Sequence, residues 1–232
     1  MKETIYTIPI NEAFDKFDGC PVCRLYGGLE RSTLEYILGA AMMEPDVRIS
    51  TNAQGFCNRH MHKMLAVNSR LQLALIIESH LPELNQALYR QAGRVSGKES
   101  GLKKARDAAN ASAQACYVCN RITGFMEHYL GNILYLWKKE TGFRDKFDKQ
   151  PYICLPHYAA LLEASGRRLP RGEQAAFVSG MAAVCQRYLT ALNEDISAFC
   201  KSFDYRNAGA GVSEGAQSAV ERATAFLTGV ME

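Results

Sequence analysis

Four short motifs in the chain each place two metal-binding side chains three positions apart. Two of them are C-x-x-C pairs and two are C-x-x-H pairs, and the two kinds alternate along the sequence. A tight turn, or the first turn of a helix, brings both side chains of such a pair to one side, so each pair supplies half of a tetrahedral metal site. Together the two kinds give the Cys3His set typical of structural zinc. The predicted ligands are Cys20, Cys23, Cys57, His60, Cys116, Cys119, Cys154 and His157.

The spacing of the four motifs repeats along the chain. Between the two motifs of a half lie 33 residues in the first half and 34 in the second, and the second half follows the first at an offset of 96 or 97 residues. This regularity predicts a duplicated unit in which each half holds its own site. The predicted first site is Cys20, Cys23, Cys57 and His60, and the predicted second site is Cys116, Cys119, Cys154 and His157.

An exchanged arrangement of the motifs is the alternative. A helix from the first C-x-x-C motif to about residue 43 would be roughly 34 Å long. The first C-x-x-H motif could then return to it only if residues 44–56 ran almost fully extended. Otherwise the long helix would break near Gly27–Gly28 or Gly39, or Cys20 and Cys23 would meet Cys154 and His157. We favour sites within each half, because a duplicated unit would have needed a site of its own.

The elements that position the motifs are predicted to be helices. Apolar residues recur at spacings of three and four after each C-x-x-C motif, and no stretch sustains the alternation of a strand. We expect a helix after each C-x-x-C motif, a second from each C-x-x-H motif, a third over 70–92 and 172–200, and a short one over 218–230. Pro21 and Pro156 agree, because proline is tolerated in the first helical turn. The predicted fold is therefore all-α, with two tandem pseudo-repeats, each stapled by one metal site.

The domain organisation follows from the same pattern. We expect residues 1–232 to form a single compact unit, with repeat 1 over 17–93 and repeat 2 over 115–200. The segment 94–114 is rich in Gly, Ser and Lys and has weak apolar periodicity, which predicts a solvated linker or an exposed helix. Residues 201–232 are predicted to be a C-terminal tail that ends in a short helix.

Charge and hydropathy exclude several classes of protein. The net charge of +3 gives no electrostatic argument for binding nucleic acid. The N-terminal sequence lacks the apolar segment of a secretory signal, and the apolar run LALII at 73–77 is far too short to span a membrane. We therefore expect a cytoplasmic protein without a membrane partner. In that compartment the eight cysteines are expected to be metal ligands or redox groups rather than disulfides.

The motifs and their surroundings also carry a resemblance to a known family. The runs CPVCRL, AMMEPDVRISTNAQGFCNRHMHKML and LALIIESHL, followed by a second cysteine unit and FDYRN, resemble a family of uncharacterised, mostly clostridial proteins with a domain of unknown function. The resemblance covers most of the chain, and the paired cysteine motifs are its most specific part. It implies a cytoplasmic protein of anaerobic bacteria, and it implies no activity.

Several ionisable side chains outside the motifs are interpreted without a chemical role. His62 lies two positions beyond a predicted ligand, so on a helix it points away from the site and is expected at the surface. His80 precedes Pro82 and is interpreted as a helix-end histidine. Glu30 and Glu127 follow the C-x-x-C motifs, and we expect them to lie on solvated helix faces, because the paired carboxylates of a di-iron bundle are missing.

The sequence contains no signature of a common enzyme class. Cys185 and Cys200 lack the spacing of a ligand pair and are predicted to be small buried hydrophobes. The sequence has no glycine-rich phosphate loop, no G-x-S-x-G motif and no H-E-x-x-H motif. No catalytic residue is therefore predicted, and whether the chain has an enzymatic activity stays open.

The function predicted from the sequence is that of a helical scaffold held by two zinc ions, which binds an unidentified protein or small-molecule partner. One alternative is an iron–sulfur protein that uses the same ligands to carry electrons or to sense redox state. A second alternative is a ligand-binding protein or enzyme with a pocket between the two repeats, because helical duplicates often leave a cleft there.

Overall fold

The computed structural model describes residues 4–93, 95, 99–204, 211 and 213–230. Over this part of the chain all regular structure is helical, and no strand is present. The α-helices, in chain order, are α1 (Thr4–Phe14), α2 (Pro21–Leu38), α3 (Pro45–Gln54), α4 (Asn58–Ala66), α5 (Arg70–Ala92), α6 (Glu99–Gln114), α7 (Tyr117–Lys139), α8 (Thr141–Asp148), α9 (Leu155–Arg168), α10 (Arg171–Ser202), α11 (Glu214–Gln217) and α12 (Ala219–Thr228). A 3-10 helix over Ala40–Met43 connects α2 to α3.

The prediction of an all-α chain is confirmed for the described residues. Helices α2 and α7 begin directly after the first cysteine of each C-x-x-C motif, and α4 and α9 begin directly after the cysteines of the C-x-x-H motifs. Helix α5 coincides with the predicted 70–92, and α10 and α12 cover the predicted 172–200 and most of 218–230. The segment 44–56, which the sequence analysis treated as a connection, instead contains the ten-residue helix α3.

The chain divides into two compact units whose limits fall inside helices. The first unit comprises Met1–Gly28 and Phe125–Glu232, and the second comprises Leu29–Gly124. Helices α2 and α7 contribute residues to both units. The segment 94–114, predicted as a linker or exposed helix, contains α6, which has no buried residue. The predicted limits of the two repeats stay a prediction.

An aromatic cluster forms the core of the first unit. The rings of Phe14 and Phe143 lie 4.9 Å apart between centroids, and Phe147 is 5.5 Å from Phe177. Trp137 contacts Phe177 edge-on at 5.1 Å. Offset and edge-on aromatic pairs at these separations add to the free energy gained from burying the rings. The cluster joins α1, α7, α8 and α10 into one layered core.

The second unit has an aliphatic core. Ile37 on α2 and Met64 on α4 are fully buried, and Leu73 and Ile76 on α5 are 3 % exposed. Leu73 and Ile76 are three positions apart, so they lie on one face of α5, which packs against α3. Among the described residues, no helix is long and apolar enough to cross a membrane.

Candidate metal centres

The structure brings the eight predicted ligands together in two groups of four. We call Cys20, Cys23, Cys154 and His157 the outer cluster, and Cys57, His60, Cys116 and Cys119 the inner cluster, because the second group lies between the two halves of the first in sequence. The outer cluster belongs to the first unit and the inner cluster to the second. The prediction that each half of the sequence holds its own site is therefore wrong, and the exchanged arrangement is found.

Local helical structure explains the exchange. Helix α2 has 18 residues without interruption, which carries the chain about 27 Å from the first C-x-x-C motif. A return to that motif would require an extended segment over 44–56, but α3 covers only about 15 Å where extended chain would cover about 33 Å. The first C-x-x-H motif therefore pairs with the second C-x-x-C motif, which begins α7.

Each half of a cluster lies at a helix N-terminus. Cys57 and Cys154 are the residues that precede the first turns of α4 and α9, and Cys20 and Cys116 directly precede α2 and α7. Amide N–H groups without an intrahelical partner and the positive end of the helix dipole therefore face the sulfurs. One of these amides, that of Cys119, donates to Cys116 Sγ at 3.5 Å. Such surroundings favour thiolates.

The loop before α4 is tied directly to the start of α7. The amide of Tyr117 donates to the carbonyl oxygen of Gly55 at 3.0 Å, and Asn120 Nδ2 donates to Gln54 Oε1 at 2.8 Å. Gly55 has φ of 61°, a left-handed conformation that favours glycine. A Cβ at this position would also lie 3.3 Å from the ring of His80. Two backbone elements that carry inner-cluster ligands are thus held together independently of any ion.

The donor atoms of the outer cluster surround a common centre. His157 Nδ1 lies 3.1 Å from Cys154 Sγ, 3.4 Å from Cys23 Sγ and 3.8 Å from Cys20 Sγ. The sulfurs of Cys23 and Cys154 are 3.5 Å apart. The three cysteines are buried, whereas His157 is partly exposed.

The donor atoms of the inner cluster have the same arrangement. His60 Nδ1 lies 3.3 Å from the sulfurs of Cys57 and Cys116 and 3.4 Å from that of Cys119. The sulfurs of Cys57 and Cys119 are 3.9 Å apart. Here the histidine is fully buried, and Cys57 and Cys119 are partly exposed.

These separations fit one tetrahedral ion in each cluster. Zinc bonds of about 2.3 Å to sulfur and 2.0–2.1 Å to nitrogen give edges of about 3.8 Å between two sulfurs and about 3.6 Å between sulfur and nitrogen. The observed sulfur pairs are 3.5 and 3.9 Å apart, and the sulfur–nitrogen distances run from 3.1 to 3.8 Å. The sulfurs are too far apart for a disulfide. All eight cysteines are free thiols.

The four donors of a cluster perturb one another strongly when no ion is bound. Burial raises the pKa of the Cys116 thiol, but hydrogen bonds from His60 and from the Cys119 amide outweigh it and lower the pKa to about 6. Burial and the neighbouring Cys116 raise the pKa of Cys119 to about 12. In the outer cluster, burial alone would lower the pKa of His157, but the Cys20 and Cys23 sulfurs raise it to about 9. Within a cluster, the protonation of one donor changes the pKa of the others, which is typical of a set of metal ligands.

Glu30 is a buried partner of the inner cluster, so its predicted place on a solvated helix face is wrong. Its Oε1 lies 2.9 Å from His60 Nε2 and also accepts from the Arg59 guanidinium, and its Oε2 accepts from Lys63 Nζ at 2.6 Å. The residue is 2 % exposed. Burial raises the pKa of this carboxyl, but Lys63, Arg59 and His60 outweigh burial and lower it. The carboxylate therefore holds His60 through its Nε2 proton, so that Nδ1 faces the sulfurs and can bind an ion once its own proton is lost.

The outer cluster has no equivalent of this network. At the offsets of 96 and 97 residues that relate the two halves of the sequence, the positions matching Glu30, Arg59 and Lys63 hold Met126, Pro156 and Ala160. Met126 is buried, and it offers neither charge nor a hydrogen-bond donor. Within the described part of the chain, His157 Nε2 has no hydrogen-bond partner. The two clusters thus share their ligands and differ in their surroundings.

The predictions for residues outside the clusters have mixed outcomes. His62 is exposed, as expected. His80 does not end a helix, because α5 continues through Pro82 to Ala92; its Nδ1 instead lies 2.9 Å from the carbonyl oxygen of Asn52. Cys185 is buried as predicted, but Cys200 is exposed, so the prediction of a buried thiol there is wrong.

An all-helical chain with two buried Cys3His groups of metal-site geometry is the class of protein that these observations define. The chain belongs to a family of unknown function, DUF6062, whose family model matches residues 1–232. The resemblance found in the sequence is thereby confirmed at the level of the family, and its clostridial distribution stays a prediction. Comparison with the curated proteins and with the solved structures finds no match.

Proposed function

We propose that each cluster binds one zinc ion and that the two ions hold a helical scaffold whose function is interaction with a partner. The observation that carries the proposal is the spacing of the donor atoms. In each of the two clusters, three sulfurs and one imidazole nitrogen lie at separations that suit the corners of a tetrahedron. When bound, each ion would supply structural cross-linking of two helix N-termini. Helices α2 and α9 would be joined by the outer cluster, and α4 and α7 by the inner one.

The ligand number argues for a structural rather than a catalytic role. Four protein ligands complete the tetrahedron of zinc, so no position is left for water or substrate. The Glu30 carboxylate bonds the nitrogen of His60 that faces away from the sulfurs, so it orients the ligand but does not reach a coordination position. We therefore propose no catalytic residue.

The distances also argue against iron–sulfur clusters as the cofactor. A cluster of several irons distributes its four protein ligands over different irons, so some of those ligand atoms lie farther apart than the edge of one tetrahedron. In both groups here, all four donor atoms lie within 4.8 Å of one another. The sulfur pairs at 3.5 and 3.9 Å instead match ligands that share a single ion. A mononuclear iron site would have the same geometry, so the metal has to be identified by analysis.

The proposal also includes the origin of the chain by duplication and its location in the cell. The order of helices after each C-x-x-C motif is the same in both halves: a long helix, a short one, the helix of the C-x-x-H motif and a second long one. This order supports a duplicated ancestor whose sites became exchanged between the halves. We further propose a cytoplasmic location, where thiols stay reduced and available to metal. A pocket between the repeats, with a ligand or an enzymatic reaction, stays a prediction from the sequence.

Elemental analysis of the full chain, purified without oxygen, tests the proposal. We expect two zinc ions per chain, no acid-labile sulfide and no absorption in the visible region. Removal of both ions with a chelator is expected to loosen both units, which hydrogen exchange followed by mass spectrometry would resolve along the chain. Iron with sulfide would establish the redox alternative, and a stable chain without any metal would refute the proposal.

A further inference from the structure

The backbone after α12 lies directly over the sulfurs of the outer cluster. The amide of Val230 donates to Cys23 Sγ at 3.4 Å. Gly229 has φ of 78°, and a Cβ built there would lie 3.6 Å from Cys23 Sγ and 3.7 Å from Cys154 Sγ. The left-handed glycine thus turns the chain so that the next amide points at a ligand atom. Two of the three sulfurs are covered by this short segment.

Specific contacts dock α12 against the rest of the first unit. Arg222 Nη2 donates to Asp195 Oδ2 at 2.5 Å and to the carbonyl oxygen of Gly215 at 2.7 Å. The ring of Phe226 lies 5.8 Å from those of Tyr152 and Tyr188, which stack on each other at 4.3 Å. Phe226 is 5 % exposed. The helix is therefore anchored by one ion pair and one aromatic cluster.

We propose that α12 with Gly229 and Val230 is a strap that controls the metal of the outer cluster. This inference rests on the proposed zinc binding. The Val230 amide is a positioning group for Cys23: its hydrogen bond to a metal-bound thiolate is charge-assisted, and it holds the sulfur in the ligand geometry. The covering backbone also blocks the approach of a chelator or a competing thiol to Cys23 and Cys154.

Coupling between the strap and the ion works in both directions. A docked strap stabilises the bound ion, and by thermodynamic linkage the bound ion stabilises docking of the strap by the same factor. Without the ion, the four donors lose the common centre that fixes Cys23 Sγ beneath the Val230 amide. Loss of zinc from the outer cluster then releases α12 and uncovers the stacked rings of Tyr152 and Tyr188. The outer cluster thereby links the availability of zinc to the exposure of an aromatic surface.

The strap acts on one cluster only. The backbone amides bonded to the inner-cluster sulfur of Cys116 come from the ligand motifs themselves, at Cys57 and Cys119, and Glu30 holds that cluster through His60. A change in the strap is therefore expected to alter the exchange of one of the two ions and to leave the other as an internal reference.

The test compares Val230→Pro with Val230→Ala in the full, zinc-loaded chain. Proline removes the amide donor, and alanine retains it while shortening the same side chain. With a chromogenic chelator, we expect one of the two zinc ions to leave about tenfold faster in the proline variant than in the unmodified chain. Tenfold is the lower end of the loss in metal affinity when a hydrogen bond to a metal ligand is removed. The alanine variant is expected to release both ions at the rates of the unmodified chain.

A second measurement tests the effect of the ion on the docking of α12. Hydrogen exchange of residues 219–228 is expected to accelerate when zinc is removed, and in V230P it is expected to accelerate with both ions still bound. Arg222→Gln, which weakens the anchor of α12 without touching a ligand, is expected to speed release of the same ion. Alkylation followed by mass spectrometry identifies that ion, because Cys23 and Cys154 become reactive first.

The outcomes separate this inference from the proposed function. Two zinc ions per chain, with equal release rates in V230P and V230A, would refute the strap and leave zinc binding intact. Faster release of both ions together would also refute it, because a general loss of stability would then be the cause. A chain that binds no zinc would overturn the proposed function and the coupling with it.

Discussion

The inner and outer clusters each contain three cysteine sulfurs and one histidine nitrogen at similar distances from one another, but the surroundings of their histidines differ. His60 is fully buried and bonded through Nε2 to Glu30, whereas His157 is partly exposed and has no such partner among the described residues. Three thiolates and one Zn²⁺ leave one negative charge at each site. The inner site sits beside a carboxylate and two cations, which together offset that charge. The outer site instead has on one of its sulfurs a backbone amide from outside the ligand motifs, that of Val230.

The comparison shows that the same candidate metal site can lie in two kinds of surroundings. Buried ion pairs fix the orientation of a ligand strongly, because a carboxylate with three donors cannot rotate without losing hydrogen bonds. A backbone amide from a docked helix depends on that helix staying in place. We therefore expect the inner ion to exchange slowly and the outer ion to respond to the state of α12.

The largest effect is expected from removing one ligand in each cluster. In the exchanged arrangement, Cys20→Ser with Cys57→Ser damages both clusters, whereas Cys20→Ser with Cys154→Ser damages only the outer one. We expect no tightly bound zinc in the first double variant and one ion in the second, measured as zinc per chain against a chelator buffer. Loss of structural zinc removes a folding contribution of about 10 kcal/mol in small zinc domains, so circular dichroism should show partial unfolding.

The control for this pair is Cys200→Ser, since Cys200 is exposed and lies outside both clusters. It is expected to retain two ions. If the zinc counts of the two double variants were reversed, the sites would lie within each half of the sequence and the exchanged arrangement would be wrong.

The next effect concerns the carboxylate that distinguishes the inner cluster. Glu30→Gln keeps the size of the side chain but leaves Arg59 and Lys63 without their shared anion. We expect zinc affinity at the inner cluster to fall about 10–100-fold, as when other hydrogen-bond partners of a ligating histidine are removed. The outer ion is expected to keep its affinity, as measured by competition with a chelator.

Glu35→Gln is the matched control, because Glu35 lies on the same helix and is exposed. Equal affinities in E30Q and E35Q would show that the Glu30 network contributes nothing to metal binding.

A smaller effect is expected at Gly55, the left-handed residue beside the inner cluster. Gly55→Ala imposes φ of 61° on a residue with a Cβ and brings that Cβ to 3.3 Å from the His80 ring. The conformation alone costs about 1–2 kcal/mol, so the urea midpoint of the second unit should fall. Gly124→Ala, on a helix with no atom near the added Cβ, is the control and is expected to be neutral or stabilising. Equal midpoints for the two variants would contradict the assigned strain.

The smallest effect distinguishes a core thiol from a ligand. Cys185 is buried in the first unit and donates to the carbonyl oxygen of Ile153 at 3.3 Å. Cys185→Ala should cost about 1 kcal/mol, from one weak hydrogen bond and a small cavity, and should leave both zinc ions bound. Loss of an ion in this variant, seen by elemental analysis, would mean that Cys185 belongs to the outer cluster.

The helices and the ligands could be predicted because their signals are local. Proline in the first turn and apolar residues every three or four positions determine where α2, α5 and α9 begin, and these features are visible without the fold. The four cysteine and histidine pairs were found for the same reason.

The pairing of the motifs could not be predicted, because it depends on the length of chain between them. The sequence analysis treated 44–56 as a connection, and the ten helical residues of α3 shorten the distance that this segment can cover. Pro45 at the first position of α3 was the signal that the sequence offered for this helix.

The role of Glu30 escaped the sequence analysis because its partners lie about thirty residues away. A lone acid on a helix is usually solvated, and nothing in its own neighbourhood suggests burial. Arg59 and Lys63 flank the ligand His60 without a nearby acid on α4, and this unbalanced charge was the available signal. The cover by Gly229 had no signal of comparable strength, since a glycine near a helix end is common.

The nested arrangement of the clusters sets an order of events during synthesis of the chain. The inner cluster joins Cys57 to Cys119, 62 positions apart, whereas the outer one joins Cys23 to Cys154, 131 positions apart. At about 5–20 residues per second, the ribosome needs roughly 7–26 s to extend the chain from Cys23 to Cys154. Throughout that interval Cys20 and Cys23 form an incomplete dithiol, open to oxidation or to a passing ion. The first two cysteines to be synthesised thus belong to the cluster whose ligand set is completed last. We therefore expect the nascent chain to need a reducing environment until α9 has been synthesised.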